Sequence, residues 1–252
     1  CAHADLRASL SSTLTCSDAT QVGGGVTSAE VAGECAEGLF RHGEHRGAYT
    51  RLDWGPDDWQ LKPWTGHQLP EVLVDVIRGA SWKVDRSFLC SQSDHVNVQE
   101  ARALKSALVQ HCLRSSAPEV CINGTDSRVC LGAFGKGRSS APKLNNVLRQ
   151  CLGLHLLCRK RLVQFWMASA LNPADDPSRF VALRRPQAVG SQASRLLLVG
   201  RTPSNKSVRG SHALGMLALE VFSGIGALSA ALESSGFGVS APMDAYPAKN
   251  VY

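Results

Sequence analysis

No stretch of this chain approaches the roughly 18 consecutive apolar residues that a membrane-spanning helix requires. The basic, apolar and small-residue succession of a secretory signal is also missing, so no membrane partner is expected. Nine cysteines, at 1, 16, 35, 90, 112, 121, 130, 151 and 158, include no Cys-x-x-Cys pair, which removes the usual zinc and dithiol signatures. Several fall at apolar positions, so they read as small core hydrophobes in a reducing, intracellular compartment, nucleus or cytoplasm. Gly132 to Ser139 contains Gly-Lys-Gly but lacks phosphate-loop spacing, and His42 and His45 have no partner at metal spacing. Asn123-Gly124-Thr125 and Asn205-Lys206-Ser207 match the glycosylation sequon, which means nothing without secretion. What is there is globular: 44% hydrophobic and 19% charged residues over 252 positions can bury one large or two smaller cores.

Acidic residues are absent from one segment. Between residues 180 and 214, Arg184, Arg185, Arg195, Arg201, Lys206 and Arg209 face no Asp or Glu, and they supply the whole net charge of +6. The surplus is therefore local rather than a property of the chain. Rich in Ser, Gly and Pro, residues 181–214 read as a solvated basic linker that adds non-specific phosphate attraction at low salt.

Leu14 to Asp18 predicts a short strand. Gly23-Gly24-Gly25 predicts a tight turn with positive backbone dihedrals, leading into a second strand near Val26 to Cys35. Residues 38–80 interleave Trp54, Trp59 and Trp64 with Pro56, Pro63 and Pro70 and read as an insertion, followed by a strand around Ser81 to Val84. From Glu100 to Leu113, Ala103, Leu104, Ala107, Leu108 and Cys112 recur at helical spacing. This gives one apolar face, with Arg102, Lys105 and Gln110 turned away and Glu100 in the first turn. Val120-Cys121-Ile122 predicts a strand leading to Asp126, Ser127 to Phe134 a short helix, and Leu144 to Leu157 an amphipathic helix. Arg161 to Ala168 suits a strand, and Asn172-Pro173-Ala174-Asp175 is a turn into a terminal helix.

Four acidic residues stand in distinctive settings: Asp18 in Ser17-Asp18-Ala19-Thr20 before the glycines, Glu100 after His95-Val96-Asn97-Val98-Gln99, Asp126 in Thr125-Asp126-Ser127-Arg128, and Asp175 in Asn172-Pro173-Ala174-Asp175-Asp176-Pro177-Ser178-Arg179. In this order, over residues 14–180, they resemble the ribonuclease H domain of retrotransposon polyproteins of DIRS-type and Gypsy-like elements. The resemblance implies an α/β fold with a ribonuclease H-like mixed sheet and flanking helices, and hydrolysis of RNA in an RNA/DNA hybrid. It also implies two Mg2+ or Mn2+ ions held by the four carboxylates: Asp18 and Asp126 shared, Glu100 nearer the leaving group, and Asp175 nearer the nucleophilic water, with Asp176 as a substitute. Two such ions about 4 Å apart activate a water and neutralise the charge that develops on the phosphate, and hard oxygen donors suit magnesium. The hybrid would be recognised through shape, phosphates and 2′-hydroxyls. A reverse transcriptase domain in a longer parent polyprotein is the implied partner, with residues 1–13 a remnant or linker. Against the family pattern, Asn123-Gly124-Thr125 places polar and flexible residues just before Asp126, which predicts a weakened strand and a loosened site.

A second resemblance begins at Leu219. Leu219-Glu220-Val221-Phe222-Ser223-Gly224-Ile225-Gly226-Ala227-Leu228, then Ala230-Ala231-Leu232 and Gly236-Phe237, resembles the opening motif of cytosine-5 DNA methyltransferases. It implies a Rossmann-like strand, turn and helix over residues 215–252. Phe222, Gly224 and Gly226 would lie against S-adenosylmethionine, and Asp244, after the next strand, would accept hydrogen bonds from its ribose. The sequence reaches Tyr252 without a Pro-Cys nucleophile loop, so methyl transfer by these residues alone is not expected, and Cys1 in place of Met suggests a fragment. Three functions follow as expectations: a ribonuclease H, a fragment of an S-adenosylmethionine-dependent methyltransferase, or an inactive relic that binds nucleic acid only.

Overall fold

Along one extended run Leu14 and Cys16 turn to one side, Thr15 and Ser17 to the other, and all four are buried, which places their strand inside a sheet covered on both faces. This strand is β1, Ser9–Ala19. The structure, a computed structural model, describes residues 8–45, 68–90 and 94–197 and two short strands at 217–218 and 238–239. The chain divides into two units, Cys1–Thr202 and Pro203–Tyr252, each taken by itself here.

β1 pairs antiparallel with β2 (Gly23–Glu30), which pairs antiparallel with β3 (Lys83–Leu89). On its other side β1 runs parallel to β4 (Glu119–Thr125), and β4 parallel to β5 (Lys160–Trp166). The order is β3-β2-β1-β4-β5, a five-stranded mixed sheet flanked by helices, as expected for an α/β chain.

One face carries Leu14, Cys16, Ile122 and Phe165 against α1 (Gly33–Arg41) and α2 (Glu71–Gly79), which supply Cys35, Leu39, Leu73, Val76 and Ile77. The opposite face is covered by α3 (Val96–Arg114), itself packed against α5 (Pro142–Cys158). Between them, α4 (Arg128–Lys136) follows β4. Two short helices complete the unit, α6 (Asp175–Ser178) and α7 (Ser191–Leu197). The cysteines described are buried apart from half-buried Cys90, and none is in a disulfide.

Several expectations need correction. The three glycines are not a turn: they form the start of β2, none has a positive φ, and the turn is Thr20–Val22, closed by Thr20 N donating to Gly23 O at 2.8 Å. The second strand ends at Glu30, and Cys35 lies in α1, where Cys35, Ala36 and Leu39 recur at helical period. Within 38–80, the end of α1 and all of α2 pack on the sheet, whereas Trp54, Trp59, Trp64, Pro56 and Pro63 lie outside the described residues. Helix α3 is buried almost all round, because α5 covers the side away from the sheet. It starts at Val96, so Glu100 is its fifth residue and not in the first turn. The terminal helix is a single turn.

Much of the expected linker is also folded. Gln187 N donates to Arg78 O at 2.9 Å and Ala32 N to Leu196 O at 2.9 Å, while Val189, Ala193, Leu196 and Leu197 pack on the α1–α2 face. In the second unit, β6 (Leu217–Ala218) pairs parallel with β7 (Gly238–Val239).

Candidate active site

Parallel pairing sets the geometry. Cys16 of β1 lies opposite Gly124 of β4, so the same register carries Asp18 and Asp126 to neighbouring positions at the carboxyl ends of adjacent strands. Asp18 is 6% exposed and pairs with Gly25 of β2. Asp126 follows the last residue of β4; its Oδ1 accepts from Asn172 Nδ2 at 3.4 Å and its carbonyl from Trp166 Nε1 at 3.1 Å.

Helix α3 brings Glu100 from one side. Cys130 Sγ of α4 lies 3.9 Å from Glu100 Oε2 and 3.4 Å from Asn97 O, and Ser127, which caps α4 by accepting from Cys130 N at 3.3 Å, also hydrogen-bonds Glu100. From the other side α6 brings Asp175, whose Oδ1 accepts from Arg179 Nε at 2.8 Å. Asp176 does not join them. Arg184 holds it through Nε, NH2 and its own backbone N at 2.8–2.9 Å while donating NH1 to Ala170 O at 2.7 Å.

The carboxylates feel one another. Burial pushes the Asp18 carboxyl up to about 6; the Ser178 hydrogen bond opposes this, Asp126 and Asp175 add to it, and Arg179 opposes it weakly. Burial likewise raises Glu100 to about 7, with Ser127 opposing and the charges of Asp126 and Asp18 adding. Asp18 thus lies within electrostatic reach of Asp126 and Asp175, and Glu100 within reach of Asp126 and Asp18.

Three residues that sequence reasoning left without a role hold this arrangement. Ser178, fully buried, donates Oγ to Asp18 Oδ2 at 2.5 Å. Asn172, also fully buried, donates Nδ2 to Ser17 O at 3.1 Å and accepts at Oδ1 from Ala174 N at 3.1 Å, so one side chain joins β1, Asp126 and the turn into α6. An Asn-Pro pair before a helix is the only sequence signal for that turn. Asn123 is the third. It is buried, accepts from Thr15 Oγ1 at 2.9 Å and donates to Ser17 Oγ at 3.0 Å, while Thr15 Oγ1 also lies 3.2 Å from Nε2 of His111, a ring that burial holds neutral by lowering its pKa to about 3.

The glycines have packing reasons. A Cβ at Gly25 would lie 2.5 Å from Ala174 O and 2.7 Å from Ser178 N, and one at Gly23 would collide with Ser178 O, so the bare strand is the seat of α6 beside Asp18. At Gly124 a Cβ would collide with Met167 Cε and lie 2.8 Å from Phe165 Cζ. The expected weak strand at Asn123-Gly124-Thr125 is instead continuous, tightly packed and hydrogen-bonded, and its sequon is inaccessible.

Among the described residues, no group of three or more His, Cys, Asp or Glu side chains could hold a metal ion, so the expected four-carboxylate cation site is not formed as such. Only the donor type, carboxylate oxygen, suits a hard divalent cation; its placement does not. The charges of neighbouring carboxylates add to the burial that raises Asp18 and Glu100, and oxygen is the donor magnesium prefers. Phe222, Gly224, Gly226 and Asp244, the expected S-adenosylmethionine contacts, lie outside the described residues. Comparison with protein-family models, curated proteins and solved structures finds no match.

Proposed function

We propose that residues 14–180 form a ribonuclease H-type hydrolase acting on the RNA strand of an RNA/DNA hybrid. The observation that carries this reading is the approach of Asp18, Glu100, Asp126 and Asp175 from four separate elements to the carboxyl ends of β1 and β4. The order of strands and helices along the chain, and Asn172 and Ser178 bracing two of the carboxylates, support it.

Asp18 and Asp126 would hold both cations, Glu100 one and Asp175 the other. When bound, Mg2+ or Mn2+ supplies an activated water and neutralises charge developing on the phosphate. The protein's own part is orientation. Ser178 fixes which oxygen of Asp18 is turned to α6, Asn172 fixes Asp126 against β1, and Ser127 and Cys130 contact Glu100. An open concavity of about 650 Å3, lined by Arg128, Lys136, Arg138, Ser139 and Ser140 and by no acidic residue, begins two residues past Asp126. Its charge suits a phosphate backbone. Among the described residues no helix is long and apolar enough to cross a membrane.

The test is incubation of the full chain with a labelled RNA/DNA hybrid and with duplex DNA, with and without Mg2+ or Mn2+. The expected result is metal-dependent cutting of the RNA strand alone. Uncut hybrid from folded protein would favour the inactive relic.

For the second unit we keep the methyltransferase-like reading. The parallel pairing of Leu217–Ala218 with Gly238–Val239 supports it, because parallel neighbours need a crossover of the length that separates them. Equilibrium dialysis of the full chain against labelled S-adenosylmethionine tests it, and retention lost in Gly224→Val is the outcome expected.

A further inference from the structure

Helices α3 and α5 pack side by side, and each brings a cysteine to the same place near its carboxyl end. Cys112 stands in the last turn of α3, and Cys158 is the last residue of α5. Their thiols hydrogen-bond each other, and both are buried beneath a corner where Leu113 and Leu157, beside them in the chain, are exposed. Lys160 follows two residues after Cys158. Its side chain is fully buried, its Nζ donates to Ala117 O and Glu119 Oε2 at 2.7 Å each, and its charge favours a thiolate at either sulfur. The hydrogen bond from Cys112 holds the Cys158 thiol below its ordinary value, against burial and with help from Lys160, while the same bond and burial raise Cys112. Cys158 is therefore the sulfur that ionises first. The charge of Cys121 on β4 also reaches Cys112, yet among the described residues no group of three or more His, Cys, Asp or Glu side chains could hold a metal ion, so these thiols do not make a zinc site.

We propose that Cys112 and Cys158 are a disulfide-forming pair, a modification site that reacts with a small disulfide of the glutathione type and locks the ends of α3 and α5 together. The Cys158 thiolate attacks one sulfur of the small disulfide, forms a mixed disulfide and releases a small thiolate, which takes up the proton that Cys158 gave. Cys112 then loses its proton and attacks Cys158 Sγ, and the second small thiolate leaves with that proton. The pair has lost two electrons and two protons, and the small disulfide has become two thiols. Thiols already in contact need only side-chain rotation to reach the S–S length of about 2.05 Å. The bridge closes the chain from Cys112 to Cys158, a loop that holds β4, Asp126 and α4, and so restrains the unfolded protein. Neither cysteine belongs to the carboxylate group around Asp18, and the pair does not depend on what that group does.

The experiment exposes the full chain, folded and fully reduced, to glutathione disulfide, blocks the remaining thiols with N-ethylmaleimide and maps the peptides by mass spectrometry. Wild type should yield two peptides joined through Cys112 and Cys158, two hydrogens lighter than their sum, and its urea midpoint should rise on oxidation. Cys121→Ser should form the same bridge. In Cys112→Ser, with folding checked by circular dichroism, the reaction should stop at a glutathione adduct on Cys158, and the rise in urea midpoint should be lost. If that variant does not fold, the wild-type map decides alone. Unbridged Cys112 and Cys158 in oxidised wild type, a bridge from either to Cys121, or an unmodified Cys158 in folded Cys112→Ser would overturn the inference.

Discussion

The Ser178 hydroxyl donates to Oδ2 of Asp18 across 2.5 Å and so joins a one-turn helix to the central strand of the sheet. Both residues are buried, and the contact is possible because Gly23 and Gly25, on the strand next to Asp18, carry no side chain to hold α6 away. The candidate site therefore depends on local packing as much as on its carboxylates.

Removing that hydroxyl should be costly. Ser178→Ala leaves a buried carboxylate without its donor, and a loss of about 1–3 kcal/mol is expected from a hydrogen bond to a charged group. Denaturant unfolding at pH 8 measures it, with a cysteine replacement as the size-matched comparison.

The seat of α6 should be equally sensitive. Gly25→Ala drives a Cβ into the backbone at Ala174 and Ser178, where no flexible side chain can yield. A loss of about 1–3 kcal/mol is expected, with earlier proteolysis between 172 and 180. Unchanged protease resistance would count against this account of the glycines.

Acidity should stabilise the metal-free protein over one window. The folded pKa of Asp18 is raised to about 6 and that of Glu100 to about 7, above their ordinary values of 3.8 and 4.5. The folded state thus holds more protons between those limits, so the contribution of these groups is present at low pH and is lost as pH rises toward 7. Asp18→Asn, which cannot ionise, should flatten this decline and exceed wild type in stability at pH 8 without metal. Unfolding midpoints from pH 4 to 8 check it, and added Mn2+ should restore wild type but not the variant.

Adjacent Asp175 and Asp176 should behave differently. Asp176 is locked by Arg184, so Asp176→Asn should loosen the segment 181–197 and lower stability by about 1 kcal/mol. Asp175→Asn should lower Mn2+ affinity with little change in stability, and Asp176 should not rescue it. Calorimetric Mn2+ titration beside thermal unfolding separates the two.

The strands were legible where burial and β-propensity agree, as in Val120-Cys121-Ile122 and the run around Val163 and Phe165. So was helix α3, although its second buried face was not, because the cover comes from α5, which lies far along the chain. The glycines misled. Their freedom suggested a turn, whereas their smallness is what matters, and only a close approach in space reveals that. Basic residues 184–197 read as solvated because the pairing of Arg184 with Asp176 and the docking of Ala193 are tertiary facts. Each acidic residue of the candidate site was visible through its local setting. Ser178 and Asn172 acquire a role only once β1 and α6 are in contact.

The central claim is that these carboxylates cut RNA. Its most direct test is cleavage of a labelled RNA/DNA hybrid in Mg2+ or Mn2+ by wild type and Asp126→Asn side by side, with matched folding. The account predicts metal-dependent cleavage by wild type and a loss of at least about a hundredfold in Asp126→Asn, the scale on which removing transition-state charge stabilisation acts. Equal cleavage by both proteins, or none by folded wild type, would contradict it.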